Sequence, residues 1–163
     1  MSGLEETALR LCQARGLTLS AAESCTGGLI AKRLTDIPGA SQTFLGGVVS
    51  YTNAVKQHVL GVPASLLETY GAVSAPVARA MAMGVRVLTG SDLALSVTGL
   101  AGPAGDDHGN PVGTVFTALS TPQGVFVRQL ALGGDRERIR TLSAHHALDL
   151  LRRYLTDQMT GGE

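Results

Sequence analysis

The stretch LTLSAAESCTGGLIAKRL, residues 17–34, decides how this chain folds. It begins with a short β-type run, 17–20, and passes through AAESCTGG, 21–28, into an apolar segment, 29–34, that is compatible with a helix. A strand that turns sharply into a helix directs backbone N–H groups, and the positive end of the helix dipole, toward whatever lies above the turn. The stretch therefore predicts a strand–turn–helix unit whose turn faces a ligand.

The turn itself carries four polar or reactive side chains followed by two glycines. Gly27 and Gly28 allow the backbone to come close to a ligand. In a plainer interpretation, Ser24 or Thr26 caps the helix and Cys25 is a small buried packing residue. In the functional interpretation the turn binds or attacks a substrate, and the side chains available for this are Glu23, Ser24, Cys25 and Thr26.

The composition is that of a single globular domain without a strongly charged surface. Hydrophobic residues make up 44% of the 163 residues and charged residues 16%, which excludes disorder and allows a sizeable buried core. The formal net charge of +0 argues against electrostatic binding to nucleic acid or to an acidic membrane. We therefore expect one domain over residues 1–163, with no nucleic-acid partner and no membrane partner.

Cysteine usage and the N-terminal residues favour a cytoplasmic protein. Cys12 and Cys25 form neither a metal-binding spacing nor a disulfide framework, and Cys12 falls on the apolar stripe of the first predicted helix. The acidic Glu5 and Glu6 do not suit a signal peptide, and no apolar run approaches membrane-spanning length.

Helical and β-type segments alternate along the first two-thirds of the chain, and a β-hairpin follows around 121–123. Ser74 and Asp135 are positioned as N-caps of the two longest helices. This order predicts an α/β layered domain with a mixed, mostly parallel sheet and one late antiparallel hairpin. The predicted helices are 3–15, 27–35, 54–60, 63–67, 75–89 and 135–156, and the predicted strands are 17–22, 44–51, 93–98, 112–120 and 124–132.

Three polar loops follow the strands that are predicted to be parallel: 23–28, 51–56 and 98–110, and the first and last of them also carry glycines. In sheets of this kind, ligands bind above the carboxyl ends of the strands. We therefore expect the three loops to meet and to form the functional site.

Ser24 and Lys56 are the candidate nucleophile and base. A serine hydroxyl attacks only when a base accepts its proton, and a neutral lysine does this if desolvation or a nearby cation lowers its pKa. Lys56 lies in the first turn of a predicted helix, where its positive charge opposes the helix dipole. This position favours a catalytic role, and a solvated surface lysine is the ordinary alternative.

Other polar residues of these loops are candidates for supporting roles. Tyr51 could relay a proton or stack on a flat ring, and Asn53 could hold a carboxamide, although both also suit the end of a strand. Thr98 stands at the end of its strand, where its side chain can point into the site. Arg136 and Arg140 share a helical face and could clamp a phosphate, or else pair with neighbouring acidic residues.

Histidine and acidic residues do not form a metal-binding pattern. His145 and His146 are adjacent on a helix, so their rings project about 100° apart and cannot bind one ion together. Residues 106–108 lie in a loop that we expect to be flexible, without further ligands at a useful spacing. We expect neither a catalytic metal nor a cofactor.

Six motifs occur in order over nearly the whole chain: AAESCTGG (21–28), SYTNAVK (50–56), GAVS (71–74), VTGLAGP (97–103), PVGTV (111–115) and GGDRERIR (133–140). Together they resemble the CinA C-terminal domain family, whose stand-alone form is nicotinamide-nucleotide amidase. The resemblance implies hydrolysis of nicotinamide mononucleotide to nicotinate mononucleotide and ammonia in pyridine-nucleotide salvage. It also implies a three-layer α/β/α sandwich and a homo-oligomer. Larger members of the family carry an N-terminal molybdopterin-binding-like domain.

Amide hydrolysis needs a nucleophile, a proton shuttle and N–H donors for the tetrahedral oxyanion. Ser24 would attack, Lys56 would take its proton, Tyr51 or Thr98 could relay it, and the backbone at 25–28 offers donors. The matching motif positions place the substrate contacts at Glu23, Cys25, Thr26, Gly27, Gly28, Asn53, Gly99, Arg136 and Arg140.

Three alternatives stay open from the residues themselves. Thr26 is the chief rival nucleophile, since its hydroxyl lies on the same loop. Cys25 could serve a cysteine amidohydrolase, although no His/acid partner is apparent for it near the matching loops. The same pocket could also belong to a non-catalytic nucleotide-binding module with a regulatory role.

Overall fold

A five-stranded mixed sheet separates two layers of helices, in a computed structural model that describes residues 3–159. The strands are β1 (Leu19–Glu23), β2 (Phe44–Val49), β3 (Leu93–Gly99), β4 (Thr114–Thr121) and β5 (Gly124–Ala131). The helices are α1 (Leu4–Ala14), α2 (Leu29–Thr35), α3 (Asn53–Leu60), α4 (Ala64–Tyr70), α5 (Ala75–Thr89) and α6 (Arg136–Leu155), with a short 3₁₀ turn at Ala40–Gln42.

The order of the strands across the sheet is β2-β1-β3-β4-β5. β1 pairs in parallel with β2 and with β3, whereas β4 pairs antiparallel with β3 and with β5. Four strands therefore run in one direction and β4 runs against them. The predicted mixed sheet with a late hairpin is confirmed, although parallel and antiparallel pairings occur in equal number.

The two helical layers cover opposite faces of the sheet. α1, α2 and α6 pack on one face around a core that includes Leu19, Leu95 and Leu148. α5 packs on the other face, with α3 and α4 against it, and Met81 is buried there. Ser96 faces α5 and donates a hydrogen bond of 2.6 Å to the carbonyl of Ala78. The three-layer α/β/α arrangement is thereby established.

The first strand is shorter than predicted at its start. The Leu17 amide donates to the carbonyl of Cys12 and so closes α1, and the Thr18 amide donates to the Asp92 carboxylate at 2.8 Å. Both amides are therefore used outside the sheet ladder. β1 begins at Leu19 rather than at residue 17.

Glycines in the left-handed region move two other boundaries. α2 begins at Leu29 rather than at residue 27, because Gly27 and Gly28 have φ angles of +61° and +103°, which no helical residue adopts. β4 begins at Thr114 rather than at residue 112, since Gly113 has φ +94°.

Both predicted N-caps are present, and two helices have bounds that differ from the predicted ones. Ser74 and Asp135 accept hydrogen bonds from the third residue of their helices, as predicted. α3 begins at Asn53 because Thr52 caps it, and the helix predicted to end at residue 67 continues to Tyr70. Within residues 3–159, no helix is long and apolar enough to cross a membrane.

Candidate active site

The carboxyl ends of β1 and β2 lie level with each other, and β3 continues two residues further at the same edge of the sheet. Glu23 pairs with Val49 of β2 and with Val97 of β3, so the residues that follow these strands leave the sheet at the same edge. They surround a cavity of about 290 Å³, which brings together the three loops predicted to meet. The predicted site residues that line it are Ser24, Cys25, Tyr51, Asn53, Lys56, Thr98, Gly99 and Arg136.

Ser24 and Lys56 are in direct contact inside this cavity. The Nζ atom of Lys56 donates a hydrogen bond of 2.9 Å to Oγ of Ser24 and a second, also of 2.9 Å, to the carbonyl of Ser50. The Lys56 side chain is 1% exposed and Ser24 is 8% exposed. Lys56 is therefore not a surface lysine.

Burial also changes the proton affinity of this lysine. Removal from water disfavours the ammonium form and lowers the pKa of Lys56 to about 8. Both oxygen atoms that Nζ contacts are neutral, one a hydroxyl and one a carbonyl. Lys56 can therefore lose its proton near neutral pH and accept one from Ser24.

Glu23 lies behind the turn and not in the lining of the cavity. Its carboxylate, 2% exposed, accepts hydrogen bonds from the Thr26 hydroxyl at 2.7 Å and from the amides of Ile30 at 2.8 Å and Ala31 at 3.1 Å. Neither Ser24 nor Thr26 caps α2, whose N-cap residue, Gly28, has no side chain to do so.

These bonds change the interpretation of the helix start as an anion site. The amides of Ile30 and Ala31 are already bonded to Glu23, and those of Gly27 and Leu29 are bonded to carbonyls of the turn. Thr26 is fully buried and donates its hydroxyl to Glu23, so the geometry disfavours it as the rival nucleophile.

The two arginines of the predicted phosphate clamp occupy different places. Arg136 donates to the carbonyl of Gly102 at 2.6 Å and to the hydroxyl of Tyr51 at 2.8 Å, and all three residues line the cavity. Arg140, one turn further along α6, is directed into the protein instead. It donates to the carbonyls at positions 25 and 26, at 2.9 and 3.2 Å.

A side chain at position 27 would meet the end of the Arg140 side chain. A Cβ atom at Gly27 would lie 2.9 Å from an η nitrogen of Arg140, and the positive φ of Gly27 also favours glycine. Gly27 therefore serves the packing of Arg140 against the turn. Of the predicted substrate contacts, Glu23, Thr26, Gly27, Gly28 and Arg140 lie outside the cavity lining.

Thr98 and Gly99 form the wall contributed by β3. The Thr98 hydroxyl donates to the carbonyl of Ala72 at 2.8 Å, which ties this wall to the segment before α5. A Cβ atom at Gly99 would lie 2.6 Å from a methyl group of Val115, so β4 can pack here only against glycine.

The Cys25 thiol is buried at 6% exposure, and burial raises its pKa to about 11. At neutral pH it is a protonated thiol and a weak nucleophile.

Among residues 3–159, no three His, Cys, Asp or Glu side chains are grouped as metal ligands. In the loop at 106–110, the Asp106 carboxylate accepts hydrogen bonds from the amides of His108 and Asn110.

Ser50 is a site residue that sequence reasoning did not single out. It is fully buried, its amide and hydroxyl both donate to the carbonyl of Glu23, and its own carbonyl accepts from Lys56. Its position could have indicated a role in the site, because Ser50 is the first residue of the SYTNAVK motif and lies one residue past the end of β2. Backbone and apolar side chains at 72–73, 100–102 and 104 complete the cavity wall, and such residues carry no chemical signal in a sequence.

Comparison with known proteins connects this site to a family. The family model for the CinA C-terminal domain matches residues 1–155. The chain belongs to this family. It is 59% identical over 141 residues to a CinA-like protein of Desulfotalea psychrophila and 54% identical over 152 residues to one of Geobacter sulfurreducens. These matches cover 86% and 93% of this chain, but only 34% and 37% of the two relatives, so the chain spans about a third of their length.

Solved structures of similar length share the fold. The competence damage-inducible protein A of Klebsiella pneumoniae has a TM-score of 0.92 at 33% identity, covering 96% of this chain and 97% of that one. The competence/damage inducible protein CihA of Agrobacterium tumefaciens has a TM-score of 0.87 at 40% identity, with 96% and 99% covered. The fold and family are thereby shown, while these names describe no chemical reaction.

Proposed function

We propose that the protein hydrolyses the carboxamide of nicotinamide mononucleotide to nicotinate mononucleotide and ammonia. The observation that carries the proposal is the buried contact of 2.9 Å between the Lys56 Nζ and Ser24 Oγ atoms, at the edge of an open cavity. A serine beside a lysine of lowered pKa suits acyl transfer from an amide. The family resemblance supplies the substrate.

The reaction begins when neutral Lys56 accepts the hydroxyl proton of Ser24. The Oγ atom attacks the carboxamide carbon, and the carbonyl oxygen becomes an oxyanion. Cys25 lines the cavity next to Ser24, and in this proposal its backbone amide donates to that oxyanion. Lys56 then gives its proton to the departing ammonia, and a nicotinoyl ester remains on Ser24.

Water completes the cycle by the same route. Lys56 takes a proton from the water, the resulting hydroxide attacks the ester, and Ser24 recovers its proton as nicotinate mononucleotide leaves. One water is consumed and one ammonia is released. With a pKa of about 8, roughly a tenth of Lys56 is neutral at pH 7 and can act as the base.

In this proposal Arg136 and Tyr51 bind the nucleotide. Arg136 carries a positive charge at the mouth of the cavity, where it can bind the phosphate. Tyr51 is 56% exposed, so its ring offers a face to the pyridine. In this proposal the enzyme acts in the cytoplasm, in pyridine-nucleotide salvage, as a homo-oligomer whose size light scattering will determine.

The test is to incubate the purified protein with nicotinamide mononucleotide and to measure ammonia and nicotinate mononucleotide together. Equal amounts of the two products are expected from the wild type, and none above background from Ser24→Ala. Activity should survive exhaustive chelation, since neither Ser24 nor Lys56 needs a metal in this scheme. Tight nucleotide binding without product would instead favour a non-catalytic regulatory module.

A further inference from the structure

Helix α2 receives its N-terminal cap from the preceding strand. Its N-cap residue is Gly28, and the second and third amides of the helix, those of Ile30 and Ala31, would ordinarily bond to an N-cap side chain. Here both donate to the carboxylate of Glu23, the last residue of β1. One carboxylate therefore fixes the start of the helix to the end of the strand.

The same carboxylate holds the middle of the turn. The Thr26 hydroxyl donates to it at 2.7 Å, so three donors converge on one buried anion at the positive end of a helix. Bonds to a charged acceptor in a site withdrawn from water are stronger than those between neutral groups. The turn that carries Ser24 thus has its shape set by Glu23.

The backbone of Glu23 is also linked to the lysine. Its carbonyl accepts the amide of Ser50 at 2.7 Å and the hydroxyl of Ser50 at 3.1 Å. The carbonyl of Ser50 in turn accepts from Lys56, whose Nζ atom contacts Ser24, the residue that follows Glu23. These contacts form a closed ring of hydrogen bonds that begins and ends at Glu23.

We propose that Glu23 is a positioning residue that sets the Ser24–Lys56 geometry by capping α2, and that it does not contact substrate. This inference replaces the sequence-based assignment of Glu23 as a substrate contact, and its effect on turnover rests on the proposed amidase function. Loss of the carboxylate frees the turn from the helix. Ser24 then spends less time within reach of Lys56, while the nucleotide-binding wall of the cavity is unchanged.

The matched pair of variants is Glu23→Gln and Asp92→Asn. Asp92 accepts an amide at 2.8 Å and a hydroxyl at 3.0 Å, both from Thr18, at the opposite end of β1 from Ser24. Each variant keeps the size of the side chain and removes a charged acceptor from comparable partners. Both should lower the melting temperature, so a stability loss alone does not separate a positioning role from a structural one.

The deciding readout is the rate at which a fluorophosphonate probe modifies Ser24, followed by intact mass. Glu23→Gln should slow this rate about tenfold or more and lower kcat with little change in KM, whereas Asp92→Asn should leave both near the wild-type values. Thr26→Val removes one of the three donors and should slow modification by a smaller factor, which decides the question if Glu23→Gln does not fold.

Equal modification rates in Glu23→Gln and wild type would overturn the inference, as would an equal slowing in Asp92→Asn. If Glu23→Gln does not fold, a wild-type rate in Thr26→Val would overturn it. The inference would also be overturned if the probe did not modify Ser24 in the wild type, because there would then be no activated serine to position. A wild type that is modified but releases no ammonia from nicotinamide mononucleotide would overturn the amidase proposal alone, because the probe needs only an activated serine.

Discussion

The Nζ atom of Lys56 lies 2.9 Å from the Oγ atom of Ser24, and the lysine side chain is 1% exposed. A lysine buried this far usually has a carboxylate partner, but here the two atoms that Nζ contacts are a hydroxyl and a carbonyl oxygen. Burying the Lys56 ammonium without an anionic partner therefore costs free energy at this position. That cost lowers the pKa of Lys56 and makes the lysine a usable base.

The pH dependence of turnover follows from this pKa. Because only neutral Lys56 accepts the Ser24 proton, kcat/KM should rise about tenfold per pH unit below pH 8 and level off above it. Rates measured from pH 6 to 10 with nicotinamide mononucleotide will check this. The residual activity of Lys56→Ala should lack the inflection. A flat wild-type profile below pH 8 would remove Lys56 from the role of base.

Stability should depend on pH through the same group. The pKa of Lys56 falls from an unfolded value of 10.5 to about 8 in the folded protein, so between pH 8 and 10.5 the unfolded chain binds more protons. The free energy of unfolding should therefore rise with pH across this window, by up to about 3 kcal/mol from this lysine. Below pH 8 both states are protonated and the penalty is fully present.

Urea unfolding of the wild type and of Lys56→Met at several pH values isolates this contribution. Methionine fills similar space without a charge, so the variant should lack the rise between pH 8 and 10.5 that the lysine produces in the wild type. At pH 7 the variant should be at least as stable as the wild type, although inactive. Parallel stability curves for the two proteins would contradict the lowered pKa.

Substitutions at the contact pair separate the possible nucleophiles. Ser24→Ala should reduce kcat by several powers of ten, and Lys56→Arg should be nearly as damaging as Lys56→Ala, since arginine keeps the charge but cannot accept a proton near pH 7. Cys25→Ala should keep most activity, because the buried thiol stays protonated. The double variant of Ser24 and Lys56 should be little worse than either single one. Near-normal turnover in Ser24→Ala would move the nucleophile elsewhere.

The sequence predicts the fold well because local patterns and the sheet agree. The strand-to-helix turn at 23–28, the Ser74 and Asp135 caps and the late hairpin are all signals within a few residues, and the structure confirms each of the caps and the hairpin. The convergence of the three loops also follows from topology alone, since parallel strands end at one edge.

The roles of Glu23 and Arg140 could not be predicted in this way. Local capping rules concern the residue next to the helix, whereas Glu23 lies five positions before Gly28 and reaches α2 only because the turn folds back. Arg140 bonds to carbonyls more than a hundred positions away, and a sequence does not show whether a helix presents its first or second turn to a cavity. Because Arg136 and Arg140 lie on the same face of the helix, the sequence suggested that both bind the phosphate. The way α6 packs on the protein instead directs Arg136 to the cavity and Arg140 to the turn.

Arg136 and Arg140 should therefore respond differently to substitution. Arg136→Ala removes the positive charge at the cavity mouth and should raise KM for nicotinamide mononucleotide about tenfold or more, with little effect on the phosphate-free riboside. Arg138→Ala, on the same helix but outside the cavity lining, is the matched control and should leave both substrates unaffected. Equal effects of Arg136→Ala on nucleotide and riboside would exclude phosphate binding by this residue.

Arg140→Ala should weaken the turn itself. Its guanidinium holds the carbonyls of Cys25 and Thr26, so the variant should melt at a lower temperature and lose kcat on nucleotide and riboside by the same factor. Arg140→Lys can reach only one of the two carbonyls and should give an intermediate loss. Michaelis constants for both substrates and thermal unfolding of the three proteins are the measurements. A selective rise in KM for the nucleotide would return Arg140 to the phosphate site and show that the turn does not depend on it.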